Sequence, residues 1–188
     1  MPSTLRSALA ALALTALLTG CGSDGSDATP AAEEAPSASA SAAAAVDTLV
    51  QTGLEQLAAG DEPAAAGTFE NVLALDPANV FAHYNLGVIA QGRGDDAGAM
   101  AAYDAALASD AVFGPALYNK AILTEASSLE SAIALYRQAI EADSEFAPAF
   151  MRLGFALVHL GDEDAGAEFL EQGIALDPSM ADVEAPSY

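Results

Sequence analysis

The chain has 188 residues, 27 of them acidic and five basic, for a formal net charge of −22 at pH 7. That length accommodates one domain with appendages, and that charge is repelled by phosphate backbones, which proteins bind through Lys and Arg, so nucleic acid is excluded as a partner. The single cysteine, Cys21, leaves no pair for a disulfide and no thiol cluster for a metal.

Residues 1–20 carry one positive charge at Arg6, an apolar run from Ala8 to Leu18 and then small residues, which is the layout of a secretory signal. The run is too short to span a bilayer, which takes about 20 apolar residues. Its ending, Leu18-Thr19-Gly20-Cys21, resembles the lipobox of bacterial lipoproteins. The resemblance implies a diacylglyceryl group on the Cys21 thiol, cleavage before Cys21 and acylation of the new amine. The expected location is therefore the extracytoplasmic face of a cell membrane, with two or more acyl chains giving a stable anchor. A chain beginning at Cys21 keeps four basic and all 27 acidic residues, for −23. Residues 21–45 follow as the lipidated cysteine and a Ser-, Ala- and Pro-rich stretch, a composition that reads as a disordered tether. The Ala-rich end of it, Ala42–Ala45, can extend the first helix backwards.

From 46 to 179 the chain repeats at a period of 33 or 34 residues. Gly53, Gly87, Ala121 and Gly154 form one column, Ala65, Ala99, Ala132 and Gly166 a second, and Phe69, Tyr103, Tyr136 and Leu170 a third. Small residues let two helices approach and large ones fill the space between them. The units fall at about 46–79, 80–113, 114–146 and 147–180. Apolar spacing within them predicts first helices near 46–59, 80–92, 114–126 and 147–160 and second helices near 62–75, 96–109, 129–142 and 163–176. Gly60-Asp61, Gly94-Asp95 and Gly161-Asp162 combine a helix-ending glycine with an N-capping aspartate. The third unit has Ser127-Ser128-Leu129-Glu130 instead, read as a capping box between Ser127 and Glu130.

These columns resemble the tetratricopeptide repeat family, most clearly in Leu86-Gly87, Ala99, Tyr103 and Ala106-Leu107, and in the LALDP and IALDP endings at Pro77 and Pro178. The sequence departs from the family pattern at His83 and Leu117, where a tryptophan is typical, at Ala111 and Ser144, where a proline is, and at Gly166, where an alanine is. The resemblance implies an all-α fold, a right-handed α-solenoid of four helix-turn-helix units whose first helices line a concave groove. On that pattern the groove residues are Val50, Leu54, Phe81, Tyr84, Asn85, Val88, Tyr118, Asn119, Ile122, Met151, Arg152 and Phe155. Leu54, Val88, Ile122 and Phe155 occupy a column that is often asparagine in the family. Gln51, Asn85, Asn119 and Arg152 run beside it as a polar column.

Two arrangements are compatible with these residues. In one, an apolar groove edged with amide donors is open to an extended peptide or a helix from a partner protein. In the other, the first helices pack tightly, or residues 180–188 lie over them. The implied function is a membrane-anchored, non-enzymatic interaction scaffold; the alternative is an envelope lipoprotein that captures a small apolar ligand or peptide in a closed cavity. Little chain remains after Pro178 to cap the last helix, so its outer face near Phe169 and Ile174 is a surface for weak self-association. His83 and His159 fall in different units, and the sequence holds no HExxH, no phosphate loop and no nucleophile–histidine–acid set, so no enzyme activity, cofactor or metal is expected.

Overall fold

A computed structural model describes residues 38–188; the signal-like segment, Cys21 and most of the expected tether lie outside the described residues. Eight α-helices are described: α1 (Ala38–Ala58), α2 (Glu62–Leu75), α3 (Val80–Gly92), α4 (Asp96–Ser109), α5 (Gly114–Glu125), α6 (Leu129–Ala142), α7 (Ala147–His159) and α8 (Glu163–Leu176). A short 3₁₀ helix, Pro178–Asp182, follows. Each odd-numbered helix packs most extensively on the helix after it, and α2, α4 and α6 each pack on the first helix of the next pair. Together the four pairs form an all-α solenoid. The first helices share one face, the inner face, where α3 and α5 meet directly.

The turns within pairs follow from residue chemistry. Gly60, Gly94 and Gly161 adopt φ of 78°, 75° and 88°, a left-handed conformation in which a side chain is strained. Asp61, Asp95 and Asp162 then accept hydrogen bonds from the backbone N–H of Ala64, Gly98 and Ala165. The third pair turns differently from the sequence expectation. Ser128, not Ser127, is the N-cap of α6 and accepts from the Ser131 N–H, while the Ser127 hydroxyl donates back to the Thr124 carbonyl. Being one residue shorter, this turn closes on Thr124, and that leaves Ser128 in the extended conformation a cap requires.

The start of α1 is also earlier than expected. The backward extension expected over Ala42–Ala45 is present and reaches Ala38, as the high helix propensity of alanine allows, so only 38–41 are helical where a tether was expected.

The core is a row of interlocked small and large residues. Phe69, Tyr103 and Tyr136 are fully buried. A Cβ on Gly53 would stand 2.7 Å from the Phe69 ring, and one on Gly87 would stand 2.5 Å from the Tyr103 ring. The buried phenols keep partners: Tyr103 donates to the Gln91 side-chain oxygen at 2.6 Å and Tyr136 to Glu125 at 2.5 Å. Each large side chain so buried stabilises its pair by about 1.5–3 kcal/mol.

Candidate functional site

The inner face divides into an open half over α1 and α3 and a covered half over α5 and α7. In the open half, Val50, Gln51, Leu54 and Phe81 line a recess of about 450 Å³, joined at its rim by Asp47 and Asn79. Val50 is its buried floor, Leu54 is 37% exposed and Phe81 is 53% exposed. Phe81 is held upright by an edge-to-face contact with Phe113 across the next turn, ring centroids 5.7 Å apart. This is apolar surface without a partner in the described residues.

The middle of the face is occupied by its own packing. Tyr84 is half-buried against Phe113 and lies 6.0 Å, centroid to centroid, from Tyr103. Its hydroxyl accepts from the Asn119 amide at 3.3 Å. Burial raises the Tyr84 pKa above its usual value, with the Asn119 hydrogen bond partly opposing it. Val88 is half-buried and packs on the cluster of Ala99, Tyr103 and Ala106.

The amide edge expected for a ligand backbone is spent internally. Asn85 is buried and its amide donates to the Phe81 carbonyl one turn earlier, at 2.7 Å, while Asn119 serves Tyr84. In the polar column Gln51 remains exposed.

The covered half is built on Tyr118, Ile122, Met151, Arg152 and Phe155. Tyr118 stacks edge-on to Phe146, ring centroids 5.1 Å apart, and Met151 is buried to 4% exposure. Arg152 reaches from α7 to α5, where its guanidinium meets Glu125 at 3.1 Å. Burial alone would lower the Arg152 pKa, but the Glu125 carboxylate and then the Tyr136 and Tyr118 hydroxyls outweigh it and hold it raised. Burial, followed by the hydrogen bond to Glu125 and its charge, pushes the Tyr136 pKa well above the usual phenol range. Residues after α8 lie over this half: Met180, Val183 and Pro186 close a recess of about 300 Å³ floored by Tyr118, Met151 and Phe155. Tyr188 lies beside Ile122 and Glu125, its ring centroid 4.9 Å from that of His159.

The expected groove residues therefore do fall on one face, but they do not form one open channel. Residues 180–188 lie over the α5 and α7 half, as the second arrangement allows, while the α1 and α3 half stays open.

The self-association face is also changed. Phe169 packs inward against Phe150, ring centroids 6.2 Å apart, and Ile174 is half-buried; Leu176 is the apolar residue left exposed there.

His83 donates its Nε2–H to the Pro77 carbonyl at 2.9 Å and fastens α3 to the turn before it. It shares no site with His159. Among the described residues no three His, Cys, Asp or Glu side chains converge as metal ligands would. No described helix is long and apolar enough to cross a membrane.

Residues 50–112 and 123–185 each match a tetratricopeptide repeat family model, together more than half of the chain. The structure is similar to that of pilF from Pseudomonas aeruginosa, at 26% identity and a TM-score of 0.67, over 75% of this chain and 66% of that one. It is similar to MamA from Desulfovibrio magneticus RS-1, at 25% identity and a TM-score of 0.59, over 71% and 76% of the two chains. A third likeness is to the O-GlcNAc transferase of Thermobaculum terrenum, at 25% identity and a TM-score of 0.64, over 71% of this chain and 26% of that chain. No curated protein matches the sequence. With the repeat period, the interlocked columns and both halves of the solenoid matching, the chain belongs to the tetratricopeptide repeat family.

Proposed function

We propose that the protein is a non-catalytic interaction scaffold, held at the extracytoplasmic face of a membrane by acyl chains on Cys21, that binds a partner protein through its inner face. Binding of proteins or peptides is what tetratricopeptide repeats do in general. The observation that carries the reading for this chain is the open recess of Val50, Leu54 and Phe81, where two large apolar side chains stand exposed side by side. Isolated apolar residues on a surface need no explanation, but a rigid concave group does. The recess supports a protein segment rather than a small apolar ligand, because it is shallow and continuous with the surface; small-molecule sites enclose most of their ligand. The anchor is supported by the charge, apolar run and Leu18-Thr19-Gly20-Cys21 ending of the first residues.

The test uses the full chain in a bacterial host, with a photo-crosslinking phenylalanine analogue in place of Phe81, or of Ala101 on the outward side of α4. Illumination should give discrete protein adducts at position 81 that are absent at 101 and are lost when Leu54→Asp is added. The same adducts at both positions would sink the groove reading. Independently, Cys21→Ala should remove the lipid seen by mass spectrometry of the first mature peptide and move the protein out of the membrane fraction. Unchanged membrane retention would remove the anchor from the proposal and leave the groove intact.

A further inference from the structure

Residues 183–188, Val-Glu-Ala-Pro-Ser-Tyr, belong to no helix and yet are seated on the inner face. Asp177 caps the 3₁₀ helix through the Ser179 N–H, which turns the chain from the end of α8 toward the start of α7. Val183 then takes an extended conformation, φ −75° and ψ 122°. From there the segment runs along α7, from Pro148 in its first turn to His159 in its last. The lengths agree. An extended run over 183–188 reaches about 20 Å, and the 13 residues of α7 rise about 20 Å.

The segment's side chains line two recesses in chain order. Pro186 lines one recess with Tyr118, Met151 and Phe155; two residues on, Tyr188 lines the next with Ile122 and Glu125, and its ring meets that of His159. The fit is shallow: Val183 stays 46% exposed and Tyr188 38%. Among the described residues no backbone hydrogen bond ties 184–188 to the helices. A contact of this kind holds because it is intramolecular, at an effective concentration in the millimolar range, and it is open to competition.

We propose that residues 183–188 are an intramolecular ligand of the α5–α7 face. They fill the place where a partner's extended segment docks, one presenting a proline and, two residues later, an aromatic ring. The partner first meets the open half at Leu54 and Phe81 and then displaces the segment from the covered half. This rests on the reading of the inner face as the partner site, and it adds the sequence chemistry of the partner and a built-in competitor. The apparent affinity of the partner is reduced by the fraction of molecules whose face is free.

The probe is a fluorescein-labelled synthetic peptide with the sequence of residues 180–188. Its anisotropy is titrated with the parent chain and with a full-length chain carrying Pro186→Gly and Tyr188→Ala. Both changes lie outside the helices, and circular dichroism confirms that the solenoid is retained. The peptide should bind the altered chain at a 1:1 ratio and about tenfold more tightly than the parent, the ratio expected if the segment is seated in about nine molecules of ten. A peptide carrying the same two changes should not bind. Equal affinity for the two chains, binding of the altered peptide, or no binding to either chain would each overturn the proposal.

A second measurement needs no added ligand. The chain has no tryptophan, so Tyr188→Trp places a single reporter on the segment. Its emission should be blue-shifted, and less accessible to acrylamide, than that of the same segment as a free peptide. Identical emission and quenching would overturn the seating. The cross-linking at Phe81 probes the other half of the face, so the proposed function and the intramolecular ligand fail separately.

Discussion

Gly87 shows how little room the repeat leaves at its crossing points. A methyl group there would stand 2.5 Å and 2.7 Å from two Tyr103 ring atoms, and Tyr103 is fully buried and tied to Gln91. The ring cannot retreat without losing that hydrogen bond or pushing on α4. Gly87→Ala should therefore cost about 1–3 kcal/mol and lower the melting temperature by several degrees. Gly67→Ala is the control. Position 67 also lies within a helix, but a Cβ there meets nothing within 4 Å, so the helix-propensity gain of about 0.5–1 kcal/mol stands alone. Melting curves in which both variants move the same way would refute the steric account.

Tyr103 also sets a limit at high pH. Burial first, then the Tyr84 hydroxyl, push its pKa from 10.0 to about 12, with Asn119 opposing. Between these values the folded chain holds a proton that the unfolded chain has released, so stability falls as pH rises through this window and is unaffected below it. Urea midpoints should be flat to pH 9 and drop from pH 10 upward, and less steeply in Tyr103→Phe; equal slopes would remove Tyr103 from the effect. At this scale the glycine and aromatic columns were legible, because close approach restricts residue type at a fixed spacing. Asn85 was not. An asparagine on a first helix reads equally as a ligand donor and as a side chain bonded back to Phe81, and only the rotamer separates the two.

The turns within the helix pairs are the element-scale counterpart. Three pairs use the same glycine and aspartate, and the third pair replaces both with serines. Since Ser127 and Ser128 are adjacent and both precede a glutamate, sequence alone leaves the cap shifted by one position. The structure assigns the cap to Ser128, whose oxygen accepts from the Ser131 N–H at 3.2 Å. Ser128→Ala should then cost about 1 kcal/mol, whereas Ser127→Ala, which removes an exposed hydroxyl bonded to a carbonyl, should change stability by less than about 0.5 kcal/mol. Chemical denaturation of the two variants decides this, and a larger loss at Ser127 would return the cap to it. The start of α1 lies four residues before the extension expected at Ala42, for a related reason. Alanine favours helix, but in a run with serine and proline nearby it also satisfies the composition of a tether, and the period of apolar residues begins only at Val46. Helix positions were otherwise readable wherever an apolar stripe and a stop signal coincided.

At the scale of the whole molecule, what could not be read was which part of the inner face is covered. Residues 180–188 have no period, so their place depends on a surface assembled from α5 and α7, distant in sequence. Charge, by contrast, is legible in full and leads to a prediction of definite sign. Between 38 and 188 there are 23 acidic and four basic residues. Three ion pairs are found among them: Arg93–Glu62, Lys120–Asp104 and Arg152–Glu125. The first is well exposed, a class worth about 0–1 kcal/mol. Acids at the starts of α2, α4 and α8 gain about 0.3–1 kcal/mol each from the helix ends. Against these stands the mutual repulsion of some 19 uncompensated charges held on a small compact body, on the order of 10 kcal/mol more in the folded than in the unfolded chain at low salt. Salt screens all of these terms, but the repulsion is the largest. As the ionic strength rises from 0.01 M to 0.1 M the screening length falls from about 30 Å to about 10 Å, shorter than the distance across the solenoid but longer than any cap hydrogen bond or ion pair. The melting temperature should therefore rise by several degrees between 10 and 100 mM sodium chloride, a range too dilute for salting-out effects, and flatten above it. A melting temperature that falls over that range would mean that the helix-end and ion-pair terms outweigh the repulsion, and that the acidic surface stabilises the fold.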